Sequence, residues 1–225
     1  LFLSVSQLRC RKVRIVSIFS GAGGLEIAAC RTGRVESIVS SDLNPVFLST
    51  VEKNMPTHFP EVRHECVAAD ARELCGATLK SLLRATPDIV MGGPPCDDYT
   101  RLGRRRGFGG AKGHLIFDLL RIVVELRPVC FIFDNVPNLT QQFKQTFQLF
   151  LDEANAIGFF SQWTLLKARD YGVPTQRTRV FVVGWKKSAM NDDFYFPDAT
   201  HVDPKDCPLL VHPRGNLKPF RFVSN

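Results

Sequence analysis

Short apolar runs alternate along this chain with longer stretches whose apolar positions recur every three or four residues. The short runs read as buried strands and the longer stretches as helices packed by one face. Residues 14–19 form the first run, and 25–30 the first helix, stopped at Gly33. Residues 35–41 predict a second strand. Asn44-Pro45 then opens a helix, an N-cap followed by proline at the first helical position. A third strand is expected over 64–69 and a helix from 71 to about 84, which Pro87 ends before a strand at 88–91. The period of 115–126 is helical and closes at Arg127-Pro128. Residues 129–133 predict a fifth strand. Phe143, Phe147, Leu151 and Ala154 mark the buried face of a helix over 142–157, terminated by Gly158. Residues 159–166 and 179–185 come next with no helical pattern between them, which predicts an antiparallel edge pair.

Strands alternating with helices predict an α/β fold, a Rossmann-like doubly wound sheet that is mostly parallel. Beyond Lys187 the chain gains proline and aspartate and loses its period. Residues 1–187 therefore read as one domain and 188–225 as an irregular tail.

The 225 residues are 44% hydrophobic and 23% charged, enough for one core of good size. No apolar run reaches the roughly 20 residues of a membrane span, so no membrane partner is expected. The opening six residues are too short for a signal peptide, and Arg9, Arg11 and Lys12 follow at once. A first residue of leucine rather than methionine suggests a processed or excised piece. Seven cysteines, an odd number without paired spacing, point away from a disulfide framework and toward a reducing compartment, cytoplasmic or, in a eukaryote, nuclear. No CxxC or HxxxH spacing predicts a metal site. The net charge of +7 and pI of about 9.2 suit a polyanionic partner, although a solvated basic surface gives the same excess. Placement narrows the choice. Arg101, Arg104, Arg105 and Arg106 lie in a glycine-containing stretch just after Cys96, placed to grip phosphates while a base enters a site.

Chemistry concentrates at predicted strand ends, where open α/β sheets bind ligands. Pro94-Pro95-Cys96 follows the strand at 88–91. Free cysteines are mostly small buried hydrophobes, a reading that suits Cys30, Cys66, Cys75 and Cys130. It suits Cys96 poorly, because tandem prolines fix its loop and Asp97, Asp98 and Tyr99 mark the loop as exposed. Nearby arginines favour a thiolate there, while Asp97 and Asp98 oppose it. Phe19-Ser20-Gly21-Ala22-Gly23-Gly24 lies between strand and helix, where glycine lets backbone approach a ligand. Asp42 ends the second strand about twenty residues on, where an acid binds ribose hydroxyls in dinucleotide-type sites. Asp70 ends the third strand. Together they fit an adenosine-containing cofactor. Asp134 ends the fifth strand, either as a helix cap or as a buried acid kept protonated to donate to a ring nitrogen. Arg177 and Arg179 enter the last strand with side chains on one face, as surface ion-pair partners or as site residues.

Taken in order, these residues resemble the cytosine-C5 DNA methyltransferase family from Ile18 to about His201. Residues 19–26 resemble its S-adenosyl-L-methionine loop, and Ser41-Asp42-Leu43-Asn44 the segment in which an acid holds the ribose and an apolar neighbour packs on adenine. Asp70 matches the acid that reads the adenine amino group. Gly93-Pro94-Pro95-Cys96 is similar to the nucleophile loop, and Gly113-His114-Leu115-Ile116-Phe117 to a helix start touching the cofactor. Asp134-Asn135-Val136 stands where the family has Glu-Asn-Val. Tyr171-Gly172-Val173-Pro174, Arg177 and Arg179 resemble its arginine motif, and Phe194-Tyr195-Phe196-Pro197 the segment after that motif.

The resemblance implies the catalytic domain of an S-adenosylmethionine-dependent enzyme that methylates C5 of a flipped-out cytosine in double-stranded DNA, as the modification enzyme of a restriction system. Cys96 would add to C6, Asp134 act at N3 and Arg179 at O2, with Arg177 beside it. Phe19, Ser20, Gly21, Gly23, Gly24, Leu25, Asp42, Leu43, Asp70, Ala71, Gly93, Pro95 and Leu115 would hold the cofactor, leaving S-adenosyl-L-homocysteine as product. The chain departs from the family pattern at Asp97-Asp98-Tyr99-Thr100, at Thr175 and at Asp134, an acid one methylene short. A target-recognition region, supplied beyond this chain or by a second polypeptide, is also implied. The competing expectations are a tRNA cytosine-C5 methyltransferase and an inactive cofactor-binding regulatory homologue.

Overall fold

The computed structural model describes residues 11–95, 115–189, 194–202 and 218–219. Strands β1 (Val13–Ile18), β2 (Val35–Asp42), β3 (Arg63–Ala68), β4 (Ile89–Gly92), β5 (Cys130–Asn135), β6 (Phe159–Lys167) and β7 (Thr178–Lys186) form one sheet, ordered β3-β2-β1-β4-β5-β7-β6. β1 through β5 pair in parallel, whereas β7 runs antiparallel to both β5 and β6. The expected antiparallel pair is therefore at the edge, with β7 as the reversed strand inside it. From β1 the chain winds outward to β3 and then returns to β4. That reversal opens a crevice at the carboxyl ends of β1 and β4.

Five principal helices cover the two faces: α1 (Gly24–Cys30), α2 (Pro45–His58), α3 (Gly76–Leu83), α4 (Leu115–Leu126) and, after a four-residue α5 (Asn138–Gln141), α6 (Lys144–Ala156). On one face α3, α4 and α6 bury Leu79, Leu119, Leu120, Ile122 and Phe150 against Val16, Val90, Phe131, Phe133 and Val182. On the other, α1 and α2 bury Cys30, Val51 and Met55 against Ile15, Ile38 and Met91. Burying one such large apolar side chain stabilises a fold by about 1.5–3 kcal/mol. At the opposite end of the sheet the buried Asp88 accepts from the Arg14 backbone N–H at 2.9 Å and from the Arg11 guanidinium, which anchors β1 beside β4.

Local chemistry explains where elements start. Asn44 Oδ1 accepts from the Val46 N–H at 2.9 Å, and Pro45 takes the first helical position of α2. One expected helix start needs correction. The helix expected from residue 71 begins at Gly76, because the carbonyls of Ala71 and Leu74 are taken by the Arg121 guanidinium of α4, at 2.6 and 2.8 Å. The helix expected over 142–157 is α6, with the short α5 as an added turn before it. Cys75, expected in an apolar element, is exposed just before α3. Burial pushes the thiols of Cys30, Cys66 and Cys130 up, to about 11, 12 and 12, as inert packing thiols require. Among the described residues, no helix is long and apolar enough to cross a membrane.

Candidate active site

A cleft of about 470 Å³ opens at the reversal, lined by Phe19, Gly21, Ser41, Asp42, Leu43, Phe47, Ala69, Asp70, Ala71, Arg72, Leu74, Gly93, Pro95 and Leu115. Its floor is the turn after β1. Phe19 holds a left-handed φ of 58°, unusual for a side-chain-bearing residue and a mark of a turn held in place by its surroundings. Gly21 follows with φ 54°, and its N–H donates to Asp42 Oδ2 at 2.8 Å. The other oxygen of Asp42 accepts from the Asn44 N–H at 2.9 Å. Asp42 therefore ties the glycine turn to the start of α2 while still lining the cleft. A carboxylate has about four acceptor positions, so both oxygens keep capacity for a hydroxyl.

Leu43 and Phe47 stand at the cleft rim, 68% and 46% exposed. Apolar side chains this open beside a cleft offer a face for a flat ring. Across from them, residues 70–74 form a wall. Asp70 accepts from Arg72 through its backbone N–H and Nε, both at 2.9 Å, and from Nη2 at 2.5 Å. These bonds hold the Asp70 carboxyl below the usual carboxylate range. Arg121 secures the same turn from α4.

A second group of residues meets the cleft at Gly93. Asp134, near the end of β5, lies against that glycine: a methyl group on Gly93 would collide with Asp134 Oδ1 and stand 3.2 Å from Cγ. The neighbouring Asn135 is buried, and its Nδ2 donates to the Pro94 carbonyl at 2.9 Å. The end of β5 thus supplies a carboxyl group and a brace for the proline turn that leads into Cys96. Burial raises the Asp134 carboxyl above its ordinary value, against the opposing charges of Arg179 and then Arg177. Arg179 is half-buried at the start of β7 and donates to the Thr178 carbonyl at 2.9 Å. Arg177 precedes the strand and is exposed, so the same-face argument from strand spacing does not apply to it.

Of the cofactor residues expected from sequence, Phe19, Gly21, Asp42, Leu43, Asp70, Ala71, Gly93, Pro95 and Leu115 line the cleft. Ser20, Gly23, Gly24 and Leu25 do not. The Ser20 hydroxyl donates to the Ser41 carbonyl, Gly23 caps α1 and Leu25 packs toward the core. Sequence reasoning missed Ser41, Phe47, Ala69, Arg72 and Leu74 in the cleft, and Asn135 and Arg121 behind it. Phe47 had a signal, an apolar residue in the first turn of a helix at a strand-end site. Cys96, Arg101, Arg104, Arg105 and Arg106 lie outside the described residues.

This sheet order, with a glycine turn after the first strand and acids at the next two strand ends, defines the class of Rossmann-like S-adenosylmethionine-dependent methyltransferases. A solved prophage-encoded protein from Escherichia coli, described as a DNA modification methyltransferase, shares 27% identity at a TM-score of 0.58, over 79% of this chain and 47% of its own. Dnmt2 of S. pombe has a TM-score of 0.60 at 14% identity, over 82% of this chain and 52% of its own, a likeness in fold alone.

The chain belongs to the C-5 cytosine-specific DNA methylase family, whose model matches residues 13–217. Type II methyltransferase M1.ScrFI of Lactococcus lactis subsp. cremoris is 29% identical over 83% of this chain and 45% of its own length. For Type II methyltransferase M.NgoPII of Neisseria gonorrhoeae the figures are 31%, 86% and 54%. The chain thus spans about half the length of these relatives. Type II methyltransferase M.AquIA of Picosynechococcus sp. is 28% identical over 94% of this chain and 86% of its own length.

Proposed function

We propose that this chain carries the methyl-transferring half of a DNA cytosine-C5 methyltransferase of the Type II modification kind. The observation that supports this most is Gly93. It lines the cofactor-sized cleft and lies directly against Asp134, so an acid with a raised pKa stands beside the place where a donor would be held.

In this reading the cleft would hold S-adenosyl-L-methionine, with Asp42 as the acceptor for its ribose hydroxyls and Leu43, Phe47 and Asp70 as the residues that would receive its adenine. Bound there, it supplies an electrophilic methyl group and leaves as S-adenosyl-L-homocysteine. The target cytosine is flipped from the duplex, because its C6 is inaccessible within the stack. The Cys96 thiolate forms a bond to C6, and the ring π electrons move to C5. Asp134, whose carboxyl burial shifts toward the protonated form, donates as a carboxylic acid to N3 and neutralises the charge that develops on the ring. Arg179 holds O2. C5 takes the methyl group with the electron pair released by addition at C6. Loss of the C5 proton to a base then expels the thiolate, and N3 returns its proton to Asp134. Arg101, Arg104, Arg105 and Arg106 contact DNA phosphates, and target recognition lies in a further region or a second polypeptide.

The test is methyl transfer by the intact protein from labelled S-adenosyl-L-methionine to duplex DNA and, separately, to tRNA. Label on C5 of DNA cytosine supports the proposal when Cys96→Ala abolishes it. Label on tRNA alone points to the RNA enzyme. Cofactor binding without transfer to either points to a regulatory homologue.

A further inference from the structure

Residues 168–177 leave the sheet as a loop between β6 and β7, and Arg177 ends it just before Arg179. Strand pairing stops where Lys167 faces Thr178, at the foot of the loop. Every residue from Gly172 to Arg177 is exposed. Within the loop the Val173 N–H donates to the Ala168 carbonyl at 3.2 Å, and the Ala168 N–H to the Arg177 carbonyl at 2.9 Å. The backbone of Arg177 is therefore set by whatever holds residues 168–173.

That hold comes from residues 194–201. Phe194 packs against Trp185, near the far end of β7, with ring centroids 5.5 Å apart, and Phe196 meets Phe194 edge-on at 4.9 Å. From there the segment runs to the loop and touches it three times. The Tyr171 hydroxyl donates to the Pro197 carbonyl at 2.9 Å, and the Thr200 N–H to the Asp170 carbonyl at 2.9 Å. The His201 ring lies against Gly172, where a methyl group would stand 2.6 Å from Cε1. Gly172 also holds a φ of 85°, which favours glycine. Beyond the loop, His201 and Val202 pair in parallel with Lys218 and Pro219. Burial, and after it the charges of Asp170 and Asp198, push the Tyr171 hydroxyl above its ordinary value, so it remains a donor. An exposed loop gains little order from its own bonds. A segment anchored at both ends and bonded to its crown supplies that order from outside.

We propose that residues 194–201 form a strap that places Arg179 for the target base, with Tyr171 and His201 as positioning residues acting through the loop. The inference rests on the proposed role of Arg179 at O2. Neither Tyr171 nor His201 lines the cleft, so the strap should govern transfer without governing cofactor affinity.

The test is single-turnover transfer of labelled methyl from S-adenosyl-L-methionine to duplex DNA by the intact protein, beside calorimetric titration with S-adenosyl-L-homocysteine. Tyr171→Phe keeps the ring and loses the bond. It should slow transfer by about tenfold, and His201→Ala by about tenfold to a hundredfold, the scale of a positional error of about 1 Å. Affinity for S-adenosyl-L-homocysteine should stay within about twofold of the wild type's, as for independent sites. Loss of affinity in step with the rate, as a merely structural role would give, or an unchanged rate, overturns the proposal. Arg179→Lys tests the route. It keeps the charge without the fork and should itself slow transfer. Adding Tyr171→Phe to it should cost less than about threefold more, since both changes act on one contact. Full multiplication of the two losses overturns the strap's action through Arg179 and leaves the proposed function standing. Transfer by Arg179→Lys at the wild-type rate, or none by the wild type itself, removes the role of Arg179, and the inference falls with it.

Discussion

Gly93 and Asp134 share one small space: no side chain fits on the glycine without striking the carboxyl group of the acid. The proposed cofactor cleft and the proposed catalytic carboxyl therefore meet at a single residue. Gly93→Ala should fold, since the obstacle is one rotatable side chain, but it should push Asp134 aside by a fraction of an ångström to about 1 Å. Misplacement of that order costs about a hundredfold in rate. Single-turnover methyl transfer by the variant should fall to that extent, with cofactor affinity much less affected. An unchanged rate would remove Asp134 from the chemistry.

Asn135 gives a separate prediction about stability. Its side chain is buried and donates to the Pro94 carbonyl, in a turn that has lost two N–H donors to proline. Asn135→Ala leaves that acceptor unpaired, at a cost of about 1–3 kcal/mol. Chemical denaturation should show this loss. Methyl transfer should fall as well, because the same bond fixes the approach to Cys96.

The raised pKa of Asp134 has a sign that can be checked. Its folded value lies above the unfolded one, so folding takes up a proton in the interval between them. This group's contribution to stability is present below the ordinary carboxylate range and is lost as pH rises through the raised value. Asp134→Asn escapes that loss. Its melting temperature should exceed the wild type's at neutral pH, and the difference should vanish below about pH 4, where the unfolded carboxyl also holds its proton. A variant less stable than the wild type at pH 7 would contradict the account of burial as the dominant cause.

Arg121 reaches across from α4 to hold the turn at 71–74 through two carbonyls. Arg121→Met keeps an unbranched apolar stem and removes the bonds. It should lower the melting temperature and weaken S-adenosyl-L-homocysteine binding by about tenfold, since Asp70 and Ala71 would lose their fixed position. Equilibrium binding by the folded variant checks this.

The contrast between Asp42 and Arg121 shows what the sequence made legible. Asp42 follows an apolar run directly, so its place at a strand mouth is a local fact, as it is for Asp70, Gly93 and Asp134. Those positions were readable because a parallel sheet puts every strand end on one edge. Arg121 acts on carbonyls 47 and 50 residues away, and nothing near it in sequence marks it as different from other helix-surface arginines. The same contact explains the misplaced helix start: 71–75 has helical composition, but its carbonyls bond to a distant guanidinium. Leu25 is not among the cleft-lining residues for another reason. It belongs to a glycine-turn motif by position, yet it is the first apolar residue of α1 and faces the core. Membership of a motif locates the backbone near a ligand, while the direction of each side chain is set by packing.

The central claim concerns Cys96 and a cytosine ring. The most direct measurement incubates the intact protein with S-adenosyl-L-methionine and duplex DNA in which 5-fluorocytosine replaces the target base. Fluorine blocks loss from C5, so the proposed bond to C6 cannot be undone. The account predicts a denaturant-stable protein–DNA adduct whose mass includes the transferred methyl group, mapped by peptide analysis to Cys96 and absent in Cys96→Ala. Methylated DNA cytosine from the protein on ordinary duplex, together with no adduct on the fluorinated one or an adduct on another residue, would contradict it.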